Sequence, residues 1–343
     1  MNTRSTLGVR LGFTLVEVLV VIAIIGVIIG LMLPATQGLR EMARRSSCQQ
    51  NLIELSLALS AYHETQGHYP TGTLNPSGPI LNVQSGYHHN WIAALLPHLD
   101  AQVVYDRIDS QVSVYAPENS VVRQASFPFL LCPSASNVSL NTTCYAGIHH
   151  STEAPIDEDN DGVFVLNRAT SNRDITDGLS YTMFLGEKLS VPDFDFGWIS
   201  GTRSTLRNAG HAIGARDGAW PPLFPATSVQ SDDYSEMTVW DEYEPIDGQD
   251  AANEPLEAEP PAAIDPINPL FVGGLQSNHP GGAHILTGAG EVSFRSSSMD
   301  QRLMRQMANK ADGTIPVDVL DESAAEANAK AEAGAATATT PAP

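Results

Sequence analysis

The chain has few cysteines and few basic residues for its length. Its 343 residues include three cysteines, Cys48, Cys132 and Cys144. Three are too few for a framework of several disulfides, although an oxidising compartment would allow one bridge. The chain has 18 Lys and Arg against 39 Asp and Glu, which gives a net charge of −21. Because phosphate binding needs clustered Lys and Arg, this balance argues against nucleic acid as a partner.

Sequence motifs of common catalytic and zinc sites are also missing. The chain has no Gly-x-Ser-x-Gly elbow, no phosphate-cradling glycine loop, and no Cys-x2-Cys or His-x3-His pair. The 10 histidines include the doublets His88-His89 and His149-His150. Adjacent residues of a strand point to opposite faces, so a doublet rarely supplies two ligands to one ion. The sequence therefore predicts no catalytic residues and no enzymatic activity.

One long uncharged run is present near the start of the chain. Residues 18–35 contain no charge, and the uncharged, mostly apolar residues 13–16 precede them on the other side of Glu17. Together they reach the roughly 20 residues that cross a bilayer core. No small-x-small cleavage site closes the run, which argues against an ordinary secretory signal. The pattern predicts a transmembrane segment over residues 13–35.

An acidic residue, Glu17, lies at the entrance of this run. A carboxylate at mid-membrane costs about 2.5–3.5 kcal/mol and less near the edge, so an acid here suggests a function. The arrangement Gly12, Phe13 and Glu17 before an apolar run resembles the type IV prepilin and pseudopilin family. The alternative is a plain membrane anchor with an accidental match.

This resemblance implies a processing pathway, a location and partners. Prepilin peptidase would cut after Gly12, and the new N-terminal Phe13 would be methylated. Glu17, then the fifth residue, would neutralise the N-terminal amine of a neighbouring pilin-like subunit during assembly. The chain would be a single-pass inner-membrane protein with a cytoplasmic N-terminus before processing. The ectodomain would be periplasmic or at the cell surface.

A second resemblance covers the chain from Gly12 to Phe294. Short motifs occur in a specific order, among them those around Cys48-Gln49-Gln50-Asn51-Leu52, Cys132-Pro133-Ser134, Gly186-Glu187 and Ser277-Asn278-His279-Pro280-Gly281-Gly282. They resemble a bacterial prepilin-like family whose domain of unknown function is named for a C-terminal His-x9-Asp-Gly motif. Ala289-Gly290 stands here in place of Asp-Gly. We expect Gly288 to rescue a turn between strands at 283–287 and 291–296.

The predicted fold is α+β and pilin-like. Leu52, Leu55, Leu59 and Tyr62 recur on one helical face that Cys48 shares, so the helix should continue to about Gln66. A mainly antiparallel β domain with short helices should follow, with helix N-caps at Asn90 and Asp100. Strands are predicted at 145–148, 162–166 and 181–186. The predicted segments are a leader (1–12), the transmembrane segment (13–35), the periplasmic half of the helix (36–66), the ectodomain (67–322) with an acidic, Pro-rich insertion (229–268), and a disordered tail (323–343).

Two further sites are predicted in the ectodomain. Asp157, Asp159 and Asp161, followed by Gly162, place oxygen atoms at alternate positions as in a Ca²⁺ loop. The alternative is a solvated acidic turn. The second site is a disulfide between Cys48 and Cys132, because Cys132 ends an apolar run that suits the helical stripe.

Alternatives remain open for these predictions. The alternatives to the Cys48–Cys132 disulfide are a bridge between Cys132 and Cys144 across a short loop, or no bridge. For the function, we expect a pilin-like or pseudopilin-like structural or accessory subunit of a type II secretion or type IV pilus-like assembly. The alternative is a monomeric, membrane-tethered envelope module that binds calcium or glycan.

Overall fold

The computed structural model describes residues 15–135, 139, 141–190, 195–214 and 268–314, except for the side chains of residues 31–35. Several predictions therefore lie outside the described residues: the leader with its cleavage site at Gly12 and Phe13, residues 229–267 of the acidic insertion, and the tail.

A single helix, α1, covers Leu15–Gln66 and contains 52 residues. At 1.5 Å per residue it is about 78 Å long. The predicted end near Gln66 is confirmed, and Gly67 follows with a φ of +79° and donates its N–H to the His63 carbonyl over 2.8 Å. Such a left-handed residue is a common helix terminus.

The two halves of α1 have different surroundings. In the second half Cys48, Leu52, Leu55 and Leu59 are at most 2% exposed, which confirms the predicted stripe facing the domain. In the first half, large apolar side chains such as Leu19 are about half exposed. Within the described part of the chain, no helix has the length and apolar character needed to span a bilayer.

The ectodomain is built on a five-stranded sheet that is antiparallel except at one edge. A separate pair of short antiparallel strands, β1 and β2, precedes it. The strands are β1 (Thr73–Leu74), β2 (His89–Asn90), β3 (Tyr145–His150), β4 (Met183–Glu187), β5 (Leu206–Asn208), β6 (Gly282–Thr287) and β7 (Val292–Ser296). Their order in the large sheet is β5-β3-β4-β6-β7, and only β3 and β5 are parallel. The α+β, mainly antiparallel prediction is confirmed.

Short helices surround the sheet. The α-helices are α2 (Trp91–Leu95), α3 (Gln102–Tyr105), α4 (Ser120–Arg123) and α5 (Gln301–Ala308), with 3₁₀ turns at Leu96–His98, Pro117–Asn119, Pro128–Leu130 and Asn172–Asp174. The predicted cap Asn90 is confirmed, because its side chain accepts a hydrogen bond from the Ala93 N–H at 3.1 Å. The prediction of Asp100 as a cap is wrong, since α3 begins after Ala101.

The core lies between α1 and the sheet. The buried stripe of α1 packs with the aromatic side chains Trp91, Phe164, Phe184 and Trp198 in one cluster. A second, smaller cluster between the sheet and α5 includes Met304. This arrangement holds the second half of α1 firmly on the domain, because each buried large side chain contributes about 1.5–3 kcal/mol.

One predicted strand is wrong and one predicted hairpin is confirmed. Residues 162–166 form no strand, because Gly162 and Phe164 donate to the adjacent carbonyls of His149 and Ile148 and no regular ladder continues. The β6–β7 hairpin forms as predicted. Its left-handed residue is Gly290, with a φ of +84°, whereas Gly288 provides space for the Phe184 ring.

Candidate functional site

Four side chains that could bind a metal converge in the core beneath α1. Cys48 comes from α1, Cys132 follows the 3₁₀ turn Pro128–Leu130, Glu187 ends β4, and His279 precedes β6. Their sulfur, oxygen and nitrogen atoms all lie within 4.8 Å of one another. All four residues are buried. We call these residues the Cys-Cys-Glu-His cluster; it is the one such group in the described part of the chain.

His279 lies at the centre of the contacts in this cluster. Its Nδ1 atom is 2.7 Å from Oε1 of Glu41 and donates a hydrogen bond to that carboxylate. Its Nε2 atom is 3.5 Å from Sγ of Cys132 and 3.3 Å from Oε1 of Glu187. The ring therefore presents one nitrogen to α1 and the other to the cluster.

The loop that carries His279 is shaped by the glycines that follow it. Gly281 has a φ of +86°, a conformation that favours glycine. A Cβ atom on Gly282 would lie 2.0 Å from the Arg295 carbonyl oxygen of β7. The Ser277 hydroxyl oxygen accepts a hydrogen bond from the His279 N–H at 3.0 Å. The sequence His-Pro-Gly-Gly thus fixes the start of β6 and the position of the ring.

Glu187 is held by a second histidine. The His284 backbone N–H donates to Oε2 of Glu187 at 2.8 Å, and His284 Nδ1 lies 3.1 Å from Oε1. Glu187 is 2% exposed. A buried carboxylate is tolerated when such hydrogen bonds replace its water.

Glu41 connects the cluster to the surface of α1. It accepts hydrogen bonds from Arg44 at 2.7 Å and from the Ser134 hydroxyl at 3.1 Å. Arg45, one turn along α1, lies 4.3 Å from the centre of the Phe294 ring and donates to the Pro280 carbonyl. We call the contacts of Glu41, Arg44 and Arg45 with the domain the clasp.

The cluster strongly shifts the pKa values of its acids and bases. Burial opposes ionisation of Glu187, but hydrogen bonds from His279 and His284 lower its pKa to about 2. Burial likewise opposes ionisation of Glu41, yet hydrogen bonds from His279, Arg44 and Ser134 lower its pKa to about 2. Burial disfavours charged His279, whereas hydrogen bonds with Cys132, Glu187 and Glu41 raise its pKa to about 10.

The two cysteines of the cluster are shifted in opposite directions. A hydrogen bond from Cys48 lowers the pKa of the Cys132 thiol, with a further contribution from His279. The same bond and burial raise the pKa of Cys48. Of the two thiols, the surroundings therefore favour the thiolate of Cys132, and the thiolate is the form of cysteine that binds metals.

All three cysteines are free thiols in the structure. Cys48 and Cys132 lie side by side in the cluster, as the stripe on α1 predicted, so the Cys48–Cys132 disulfide stays a prediction. Cys144 is also buried but does not belong to the cluster. Around the thiols, the Tyr145 hydroxyl lies 3.4 Å from the Cys48 carbonyl and Asn51 donates to that hydroxyl at 3.1 Å.

The acidic loop predicted to bind calcium lies after β3 and is held by hydrogen bonds of its own side chains. The Asp161 carboxylate accepts from the Ser151 N–H at 2.7 Å and from its hydroxyl at 2.5 Å. Asp157 accepts from the Glu158 N–H at 2.8 Å. Among the described residues, Asp157, Asp159 and Asp161 form no group of converging ligand atoms. Asp161 thus ties the loop to the end of β3. The calcium site stays a prediction, with the acidic turn as its alternative.

The other predicted site residue, Glu17, lies in the first turn of α1 and is exposed. It is far along the helix from the cluster, at about 1.5 Å per residue. The two features therefore belong to different halves of α1.

A pocket of about 470 Å³ opens beside the cluster. The residues that line it include the segment from Gln276 to Gly282, which contains His279, together with Leu189, Gly214 and Ser297. Among the described residues that line the pocket, His279 is the one with an acidic or basic side chain.

Sequence reasoning missed Glu187 and His279 as partners of the cysteines, and Glu41 as the partner of His279. The signal was present, because Cys48, Cys132, Glu187 and His279 each fall within one of the short ordered motifs quoted above. The missing information was their convergence, since Cys132 and His279 are 147 residues apart.

Comparison with known proteins supports two features of the chain. Residues 37–302 match a family described as "Protein of unknown function (DUF1559)", and residues 9–33 match the prokaryotic N-terminal methylation motif. The first match covers most of the ectodomain and includes the whole Cys-Cys-Glu-His cluster.

Curated relatives match over a shorter stretch. The chain is 42% identical over 60 residues to the type II secretion system core protein G of Escherichia coli (strain K12), which is 18% of this chain and 41% of that protein. The same protein of Klebsiella pneumoniae is also 42% identical over 60 residues, 18% of this chain and 43% of that protein. The chain thus spans less than half the length of these relatives. No solved structure matches it significantly.

Proposed function

Because the chain belongs to the DUF1559 family and carries the prokaryotic N-terminal methylation motif, we propose that it is a pseudopilin-like subunit. In this proposal prepilin peptidase cuts after Gly12, and residues 13–35 anchor the mature chain in the inner membrane. Other pilin-like subunits then assemble with it through α1. The likeness to the type II secretion system core protein G supports a role in a secretion-related assembly.

The observation that carries this proposal is the unequal burial of α1. Leu19, Ile22 and Ile25 in the first half are 56%, 61% and 48% exposed, whereas Leu52 and Leu55 in the second half are fully buried. An apolar helix surface of this size needs a partner, either lipid or another helix.

Glu17 suggests which kind of partner the exposed half of α1 would bind. An acid at the entrance of an apolar segment is costly in lipid unless a positive charge neutralises it. The N-terminal amine of a neighbouring processed subunit would be such a charge, and after cleavage it would belong to Phe13, four residues before Glu17 in the sequence. This pairing would orient two α1 helices in the same direction with a stagger.

The clasp makes the helix and the ectodomain one unit. Glu41 and Arg44 form hydrogen bonds with Ser134 and His279. The orientation of α1 in an assembly would therefore also set the orientation of the ectodomain. A subunit of this kind displays its domain in a fixed orientation on the outside of an assembly.

The proposal is tested by cross-linking cells that produce the full-length chain and then sizing the products. We expect a ladder of multimers for the wild type, and loss of the ladder for Glu17→Gln. The matched control is Glu54→Gln, because Glu54 is an exposed acid of the same helix outside the apolar half.

The wild type and the control should give the same ladder. A lone monomer band in the wild type would contradict assembly and would favour the tethered binding module. A ladder that Glu17→Gln leaves intact would contradict the role of Glu17.

A further inference from the structure

We propose that the Cys-Cys-Glu-His cluster binds one Zn²⁺ ion through the sulfurs of Cys48 and Cys132, Nε2 of His279 and a carboxylate oxygen of Glu187. The ion would fasten α1 to the ectodomain.

The donor atoms suit zinc better than other common ions. Zn²⁺ binds thiolate, imidazole and carboxylate ligands, and its structural sites are closed and four-coordinate. Ca²⁺ and Mg²⁺ take oxygen ligands instead. Two sulfurs, one nitrogen and one oxygen, all buried, form a complete and closed set of this kind.

The spacing of the donor atoms is close to that of an occupied site. Zn–S bonds of about 2.3 Å and Zn–N bonds of about 2.0 Å place tetrahedral ligands about 3.3–3.8 Å apart. The four donor atoms here lie within 4.8 Å of one another, and Nε2 of His279 is already 3.5 Å from Cys132 and 3.3 Å from Glu187. Small side-chain rotations would complete the tetrahedron.

The residues around the cluster hold the ligands as neighbours of metal ligands do. Metal-binding histidines usually donate their other ring N–H to a carboxylate, which fixes the ring and makes it a better ligand. Here Glu41 accepts that bond from His279 at 2.7 Å. His284 orients the Glu187 carboxylate in the same manner, through bonds of 2.8 and 3.1 Å.

Zinc binding displaces protons from its ligands. The ion binds the unprotonated Nε2 of His279 and two thiolates, so any protons that these atoms carry in the free protein are released to solvent. The thiolates of Cys48 and Cys132 and the carboxylate of Glu187 carry three negative charges, so the divalent ion leaves the bound site with a net charge of −1. His279 stays neutral, with its remaining proton shared with Glu41.

A Cys48–Cys132 disulfide and this zinc site exclude each other. In a molecule with the disulfide, neither sulfur atom could act as a zinc ligand. His279 and Glu187 alone would bind zinc only weakly. The state of the two thiols therefore distinguishes the two predictions.

The test uses the full-length chain, purified from membranes in detergent without chelator. We expect about one zinc per chain by elemental analysis after gel filtration, and three free thiols by titration. Cys48→Ser and His279→Gln should lose the zinc. Cys144→Ser is the matched control, because Cys144 is an equally buried cysteine outside the cluster, and it should keep the zinc.

Cobalt gives a readout that does not depend on the folding of a variant. When Co²⁺ replaces zinc in the wild type, we expect thiolate-to-cobalt charge-transfer absorption and the visible bands of a tetrahedral site. Reduced wild-type protein that binds neither Zn²⁺ nor Co²⁺ in stoichiometric amount would overturn the proposal. A peptide joining Cys48 to Cys132 in the native protein would overturn it as well.

Discussion

At the scale of single residues, buried and partly buried polar side chains connect distant segments of the ectodomain. Glu153 is an example outside the Cys-Cys-Glu-His cluster. It accepts hydrogen bonds from the Asn208 side chain at 2.9 Å, from His211 at 3.1 Å and from the Val272 N–H at 3.0 Å. One carboxylate therefore joins the end of β5 to the segment that leads to β6.

We predict that Glu153→Gln lowers the free energy of unfolding by about 1–3 kcal/mol at pH 7. Burial opposes ionisation of Glu153, but its hydrogen bonds with His211, Val272 and Asn208 lower its pKa. A lowered pKa stabilises the fold above the pKa of the unfolded chain, roughly 4.3, and this contribution is lost as the pH falls through the folded value.

The measurement is urea unfolding of wild type and variant between pH 7 and pH 3, followed by the fluorescence of buried Trp91 and Trp198. The difference between them should shrink as the pH falls. Glu118→Gln, at an exposed acid, is the control and should change stability by less than about 0.5 kcal/mol. A difference that is constant with pH would contradict the role given to the charge.

Residue-level prediction succeeded where the cause was local. Asn90 is predictable as a helix cap because an Asn side chain can accept a hydrogen bond from a backbone N–H of the turn that follows it. The structure shows this hydrogen bond. The partners of Cys48 could not be predicted this way. Glu187 and His279 look like ordinary strand and turn residues in the sequence, and only the sheet order brings them to α1.

At the scale of elements, α1 combines an exposed apolar half with a buried stripe. The stripe was predictable because a helical period places Leu52, Leu55 and Leu59 on one face. The β6–β7 hairpin was predictable because the alternating strands flank a glycine-rich turn. Residues 162–166 have the composition of a strand, but they lie beside β3 without a regular ladder. Their hydrogen bonds are determined by the neighbouring segments and not by their intrinsic β-propensity.

We predict that Leu55→Ala destabilises the ectodomain by about 2–5 kcal/mol, because it leaves a cavity between α1 and the sheet. Leu57→Ala is the matched control, since Leu57 lies two residues away on the same helix and is 67% exposed. Thermal unfolding of both variants in detergent measures the difference. Equal effects would mean that the stripe does not hold α1 on the domain.

At the scale of the whole molecule, the chain joins a processing signal, a long helix and a large acidic domain. We predict cleavage between Gly12 and Phe13 and methylation of the new N-terminal amine. Intact-mass and N-terminal peptide mass spectrometry of the mature protein measure both changes. Gly12→Val should block the cut and leave the full leader in place. A mature N-terminus at Met1, or one beyond residue 34, would contradict the prepilin interpretation.

The clasp also has a consequence for the order in which the chain folds. Glu41 and His279 are 238 residues apart, and their contact closes one of the longest loops in the protein. Contacts this distant form late, because the entropy of the intervening chain opposes them until other structure exists. We therefore expect the clasp to close after β6 and β7 have paired. Until it closes, the stripe around Leu52 is less firmly covered, and an incompletely folded chain would expose an apolar surface to other proteins.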